Sequence, residues 1–136
     1  MPADPQVLAQ RLVRFVTPVN QITVEDAVIP ITTSTSNTID TGGGRRQIVG
    51  LQMPAAWTAA SLTFDGSHDG TTFVPIHHGS GAYTITAAQG ANASLGVSLA
   101  KEAFAAWPYV RIRSGVIGAY VDQDAARTIK VLTSAG

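Results

Sequence analysis

Apolar and polar positions alternate most clearly between Ser61 and Phe73, in the stretch SLTFDGSHDGTTF. Leu62 and Phe64 share one face of an extended segment, which then meets Ser67-His68-Asp69-Gly70 and returns to an aromatic at Phe73. Strict alternation marks a half-buried strand, and an Asp-Gly pair marks a tight turn. The segment therefore predicts a β-hairpin whose two arms both turn apolar groups, Phe73 included, into one core.

Strand patterns recur along most of the chain after Val19. Ile22 to Ile31 is apolar and β-branched, interrupted by Glu25-Asp26, and Pro30 favours an edge or a bulge. A Ser/Thr-rich stretch from Thr32 to Thr41 ends in Gly42-Gly43-Gly44, a loop signal. Arg46 to Met53 carries Ile48, Val49, Leu51 and Met53, and Pro54-Ala55-Ala56-Trp57 turns a corner before the hairpin. Val74 to His77 completes the hairpin arm. Ala82 to Thr86 and Ser94 to Leu99 alternate again, Lys101 to Ala106 predicts a helical turn, and Trp107-Pro108 closes it. In Tyr109 to Ser114, Tyr109, Arg111 and Arg113 oppose Val110 and Ile112; Thr128 to Thr133 carries Ile129 and Val131, with Leu132 out of phase. About eight to ten short strands, with turn signals every 8–12 residues or so, predict an all-β antiparallel sandwich.

The first twenty residues have a different rhythm. Val7, Leu8, Leu12, Phe15 and Val16 follow helical spacing, with Arg11 and Arg14 on the other side and Pro18 as a stop. Residues 1–20 are expected to be either a short amphipathic helix or an extended arm, and residues 21–136 the sandwich. The start of the chain lacks the continuous apolar run of a signal peptide, because Arg11 and Arg14 interrupt it. No apolar run is long enough for a membrane-spanning helix.

Composition narrows the choice of partner. Only 13% of residues are charged and the formal net charge is zero, so no strong field draws in nucleic acid or an acidic membrane. A surface so poor in charge suits a protein largely covered by its neighbours. The chain has 136 residues and no cysteine, so its core stands alone or is supported by assembly rather than by disulfides.

Ser67-His68-Asp69-Gly70 with Phe73, followed late in the chain by Tyr109-Val110-Arg111-Ile112-Arg113-Ser114-Gly115, resembles discoidin-like, galactose-binding-type β-sandwiches. A longer series is similar to structural proteins of tailed phages and gene transfer agents. It comprises Ile48-Val49-Gly50-Leu51, Pro54-Ala55-Ala56-Trp57, the hairpin, Tyr109–Gly115, Gln123 and Arg127-Thr128-Ile129, over roughly residues 46 to 133. The resemblance implies a jelly-roll or galactose-binding-like fold. It also implies a virion location, as capsid decoration, the base of a head spike or fibre, or part of a tail appendage, after synthesis in a bacterial cytoplasm. The N-terminal segment would be the attachment arm.

The residue types that carry chemistry fall mostly in structural patterns. Asp65 to Gly70 matches the front half of a calcium loop, but Ile76 stands where the bidentate Glu belongs, so a hairpin turn is expected. Adjacent His77 and His78 on a strand point to opposite faces, and with His68 they lack zinc-ligand spacing. Gly42-Gly43-Gly44-Arg45-Arg46 leads into a strand and not a helix, so it is no phosphate loop; a loop-tip pair Arg45 and Arg46 would touch a partner's carboxylates. Arg111 and Arg113 share one face of their strand, where they pair with acidic residues on a neighbouring strand or meet an anion or a subunit. Trp57 and Trp107 read as core or rim packing.

No Gly-x-Ser-x-Gly elbow or paired base and nucleophile is legible. The expected function is a non-enzymatic, self-assembling virion protein, with no cofactor and no metal. Capsid or other virion proteins and further copies of the chain are its expected partners. Val7, Leu8, Arg11, Leu12, Arg14, Phe15, Arg45 and Arg46 are the expected contact residues. The alternative is a carbohydrate-binding module that recognises host-surface glycans through its loops.

Overall fold

The computed structural model describes residues 21–43, 45–86 and 94–135. Nearly all regular structure among them is β. The strands are β1 (Ile22–Ile29), β2 (Ile39–Asp40), β3 (Arg46–Met53), β4 (Leu62–Ser67), β5 (Val74–Pro75), β6 (His77–His78), β7 (Gly81–Ala82), β8 (Leu95–Ser98), β9 (Tyr109–Val116), β10 (Ala119–Tyr120) and β11 (Arg127–Ala135). The helical turn expected after Leu99 is a single 3-10 turn, Lys101–Ala103.

Two antiparallel sheets share one core. The first has the order β1-β11-β3-β8; the second has β10-β9-β4-β5, with β2 also paired to β9. The first sheet contributes Ala27, Ile29, Ile48, Leu51, Met53, Ile129 and Val131 to the core, and the second Leu62, Phe64, Val110 and Ile112. These are the inward positions of each alternation. β4 differs from the half-buried strand expected there: it lies inside its sheet, and all six of its residues are buried, outward Thr63, Asp65 and Ser67 included. Phe64, Tyr83 and Phe104 meet as a ring triangle with centroids 5.0–5.7 Å apart. The Tyr83 hydroxyl stays satisfied by accepting the Ala100 N–H at 2.9 Å.

β11 alternates without a break, Ile129, Val131 and Thr133 inward and Leu132 outward, and the irregularity lies in its neighbour β3. Leu132 pairs with Gly50 and Thr133 with Ile48, so Val49 is the extra residue of a β-bulge. Before the bulge Ile48 points inward; after it Leu51 and Met53 do. One inserted residue thus lets a strand with adjacent apolar residues keep a single buried face.

The Asp-Gly hairpin is present as β4 and β5, but one arm differs from expectation. Val74 pairs with Gly66 and Pro75 with Asp65, which gives Phe73 the outward parity of Ser67. Phe73 lies beneath the Arg111 guanidinium and does not enter the core. Ile76 takes the core position instead, with its N–H donating to the Phe64 carbonyl.

A buried glutamine ties one end of the sandwich together. Gln123 is fully buried, and its side-chain oxygen accepts the Thr58 N–H at 2.9 Å and the Arg127 Nε–H at 3.3 Å. Its amide nitrogen donates to the Thr58 carbonyl at 3.1 Å and to Ser114 Oγ at 2.8 Å. Its main chain also bonds to Thr32 and Thr33. The side chain joins Thr58, Ser114 and Arg127 with all its polar atoms paired, and the main chain adds the Thr32–Thr33 segment.

Candidate functional site

The outer face of the first sheet carries the most unusual surface. Along β1 the even positions point outward, and three of them are apolar: Ile22 is 48% exposed, Val24 56% and Val28 36%. Ile31, in the turn that follows, is 56% exposed. Cross-strand register continues the strip, since Val24 lies opposite Leu132 and Leu132 opposite Gly50. Beside Leu132 an open depression of about 300 Å³ is bordered by Leu51, Gln52, Ser94, Leu95 and Gly96. No side chain rises from Gly50 or Gly96, so the outer face dips there.

β1 is also an edge strand, and it is only half protected. The Val28 N–H donates to Asn37 Oδ1 at 2.7 Å, the Asn37 N–H donates to the Val28 carbonyl, and Asn37 Nδ2 reaches the Asp26 carbonyl at 3.3 Å. Asn37 therefore caps the edge from Asp26 to Val28. The half from Ile22 to Glu25 carries no such cap among the described residues. Asp26, which pairs with Lys130 at 2.7 Å, takes the outward position between Val24 and Val28 and divides the apolar strip there.

The sequence signal for this strip was visible in principle. Apolar residues occupy both parities of Ile22–Ile29, with Ala27 and Ile29 inward and Ile22, Val24 and Val28 outward. A strand that is apolar on both faces is either central or covered by something else, and β1 is not central.

The second sheet presents a different outer face. Arg111 lies over Phe73 at 3.8 Å from the ring centroid, and Arg113 over Tyr120 at 3.7 Å. Arg113 Nη1 pairs with Asp65 Oδ2 at 3.0 Å, and Arg111 Nε donates to Thr38 Oγ1 at 3.1 Å. Laid flat on Tyr120, Arg113 has its Nε buried without an acceptor among the described residues. The arginine pair expected on one face is there, and one of the two has its acidic partner on the neighbouring strand. Phe73 and Tyr120 each hold a guanidinium on a ring face, which removes those faces as platforms for a sugar.

The Asp-Gly turn closes on itself. Asp69 Oδ1 accepts the N–H groups of Thr71 at 2.8 Å and Thr72 at 3.0 Å, and the Ser67 hydroxyl at 2.9 Å. Those main-chain donors, Thr72 first and Thr71 next, then the Ser67 hydroxyl, hold its carboxyl at about 2, below the usual aspartate range. Gly70 adopts φ +80°, the left-handed conformation that the turn needs. Among the described residues no group of three or more His, Asp or Glu is placed to hold a metal ion.

Arg45 is exposed in the turn before β3. Arg46 is the first residue of β3, and its guanidinium is engaged within the sheet. Nε donates to Thr133 Oγ1 at 2.8 Å, and Nη2 to the carbonyls of Thr133 at 2.9 Å and Gln21 at 3.2 Å. The loop-tip placement expected for both arginines thus holds for Arg45 alone. Val7, Leu8, Arg11, Leu12, Arg14 and Phe15 lie outside the described residues.

No protein-family model matches this chain, and no curated protein matches it.

Proposed function

We propose that this protein is a non-enzymatic structural subunit of a tailed-phage or gene-transfer-agent particle, one that attaches to the particle and assembles with its own copies. The observation that carries the reading is the exposed apolar strip Ile22, Val24, Val28 and Ile31 along an edge strand. Scattered apolar side chains on a surface need no explanation, but three outward apolar residues on one edge strand, broken only by Asp26 and continued by Ile31 in the next turn, mark an interaction surface. The neutral, charge-poor composition supports the same reading, because such a surface is better suited to burial than to isolation in water.

The test is sedimentation with light scattering of the purified protein, alone and with empty capsids. The reading expects a defined oligomer that co-sediments with the particles. It also expects that deleting residues 1–20 abolishes attachment while the sandwich, which has its own core, stays folded. A protein that remains monomeric and ignores capsids and tails alike would remove the reading.

A further inference from the structure

We infer that the uncapped half of the β1 edge, Ile22 to Glu25, pairs antiparallel with the same stretch of a second copy, so that two four-stranded sheets join into one of eight. This deepens the proposed self-assembly and rests on it.

The backbone sets which groups are offered. In an antiparallel ladder, successive residues turn their N–H and C=O groups to alternate sides of the strand. Val28 turns both of its groups toward Asn37, away from β11. The β1–β11 register runs without a shift from Ile22 to Ile29, so Ile22 and Val24 turn theirs the same way. An edge whose donors and acceptors at every second residue have no partner among the described residues, and which carries β-branched side chains, is a template for another strand.

Self-complementarity then selects the register. With the two-fold axis at Thr23, Ile22 faces Val24 of the other copy, and the reverse pair repeats it. Both pairs exchange main-chain hydrogen bonds, because all four residues turn their polar groups outward. The four exposed apolar side chains come together on the outer face, and Gln21 lies opposite Glu25. An axis at Val24 would set Ile22 against the Asp26 carboxylate. An axis at Glu25 would oppose two like charges and bring Ile22 of the other copy opposite Val28, where Asn37 already occupies the edge. The second copy is thus the occupant that this edge fits, in one register.

So short a strand pair buries less than the ~1,000 Å² typical of a stable interface, which puts the expected Kd in the micromolar range or weaker. Copies held side by side on one particle would maintain it through avidity.

Val24→Pro is the sharpest probe, because it removes an outward N–H and no bond to β11, and proline is tolerated on edge strands. Ile22→Lys places charge in the apolar strip without touching the main chain. The full chain should rise in weight-average mass above 14.2 kDa as its concentration goes from about 10 to about 500 μM, the range that brackets such a Kd. Over the same range the Ile22 and Val24 amides should exchange more slowly with solvent. Both variants should stay at the monomer mass, with circular dichroism unchanged for Ile22→Lys. Should Val24→Pro unfold, Ile22→Lys decides alone. A wild-type chain that never associates, or variants that associate as well as wild type, overturn the pairing. Capsid co-sedimentation of the variants separates the two ideas: capsid binding by chains that do not pair supports attachment alone, whereas wild-type pairing without capsid binding sinks attachment alone.

Discussion

Asp65 lies directly opposite Arg111 in the β4–β9 ladder, yet its carboxylate bonds to Arg113, the diagonal neighbour. Arg111 is left to stack on Phe73 and to donate to Thr38. The two arginines, identical in the sequence pattern, therefore differ in what holds them.

That difference predicts unequal mutational costs. The Asp65–Arg113 pair is largely buried, with side-chain exposures of 10% and 21%, so Asp65→Asn should lower stability by about 1–3 kcal/mol. Arg111→Ala, which removes a stack and one hydrogen bond at a half-buried position, should cost about 1 kcal/mol. Urea unfolding midpoints of the two variants check the order, and equal losses would mean that the ladder-opposite pair matters as much as the diagonal one.

Gln123→Ala should be among the most damaging single substitutions. It leaves the Thr58 N–H and carbonyl and Ser114 Oγ without their side-chain partner in a buried site. A loss of about 2–4 kcal/mol is expected from the unpaired groups and the cavity together. Thermal unfolding, with amide exchange at Thr58, would show whether the segment opens locally or the whole domain is weakened.

The Asp69 turn predicts a pH dependence with a definite sign. Its carboxyl sits at about 2 in the folded chain against an ordinary value of 3.8. The ionised form is favoured by folding, so its contribution is fully present above pH 3.8 and disappears as pH falls toward 2. Stability measured across that window should fall for the wild type. Asp69→Asn should show a shallower fall, and identical slopes would separate this carboxylate from the acid limb.

Gly66→Ala tests how Trp107 is seated. A Cβ at Gly66 would lie 2.6 Å from Trp107 Cδ2 and 2.7 Å from Cγ, so the indole must shift. A loss of about 1–3 kcal/mol is expected, with a change in tryptophan emission that Trp57→Phe does not remove.

The strands were legible in the sequence because alternation is a property of each strand alone. Leu62 and Phe64, Val110 and Ile112, and Ile129 and Val131 all point inward as their spacing requires, and Asp69-Gly70 forms its turn from neighbours within three residues. The out-of-phase Leu132 is an outward apolar residue on a regular β11, and the bulge at Val49 shows only in the pairing of β3 with that strand. Tertiary structure alone decided the rest. The fate of Phe73 turned on the hairpin's register, which alternation on one arm does not specify. The diagonal choice of Asp65, the meeting of Thr58, Ser114 and Gln123, and the edge position of β1 all depend on segments tens of residues apart. Periodicity records which face of a strand avoids water. Which strand lies beside it, and whether its edge stays open, follows from the long-range closure of the whole sandwich.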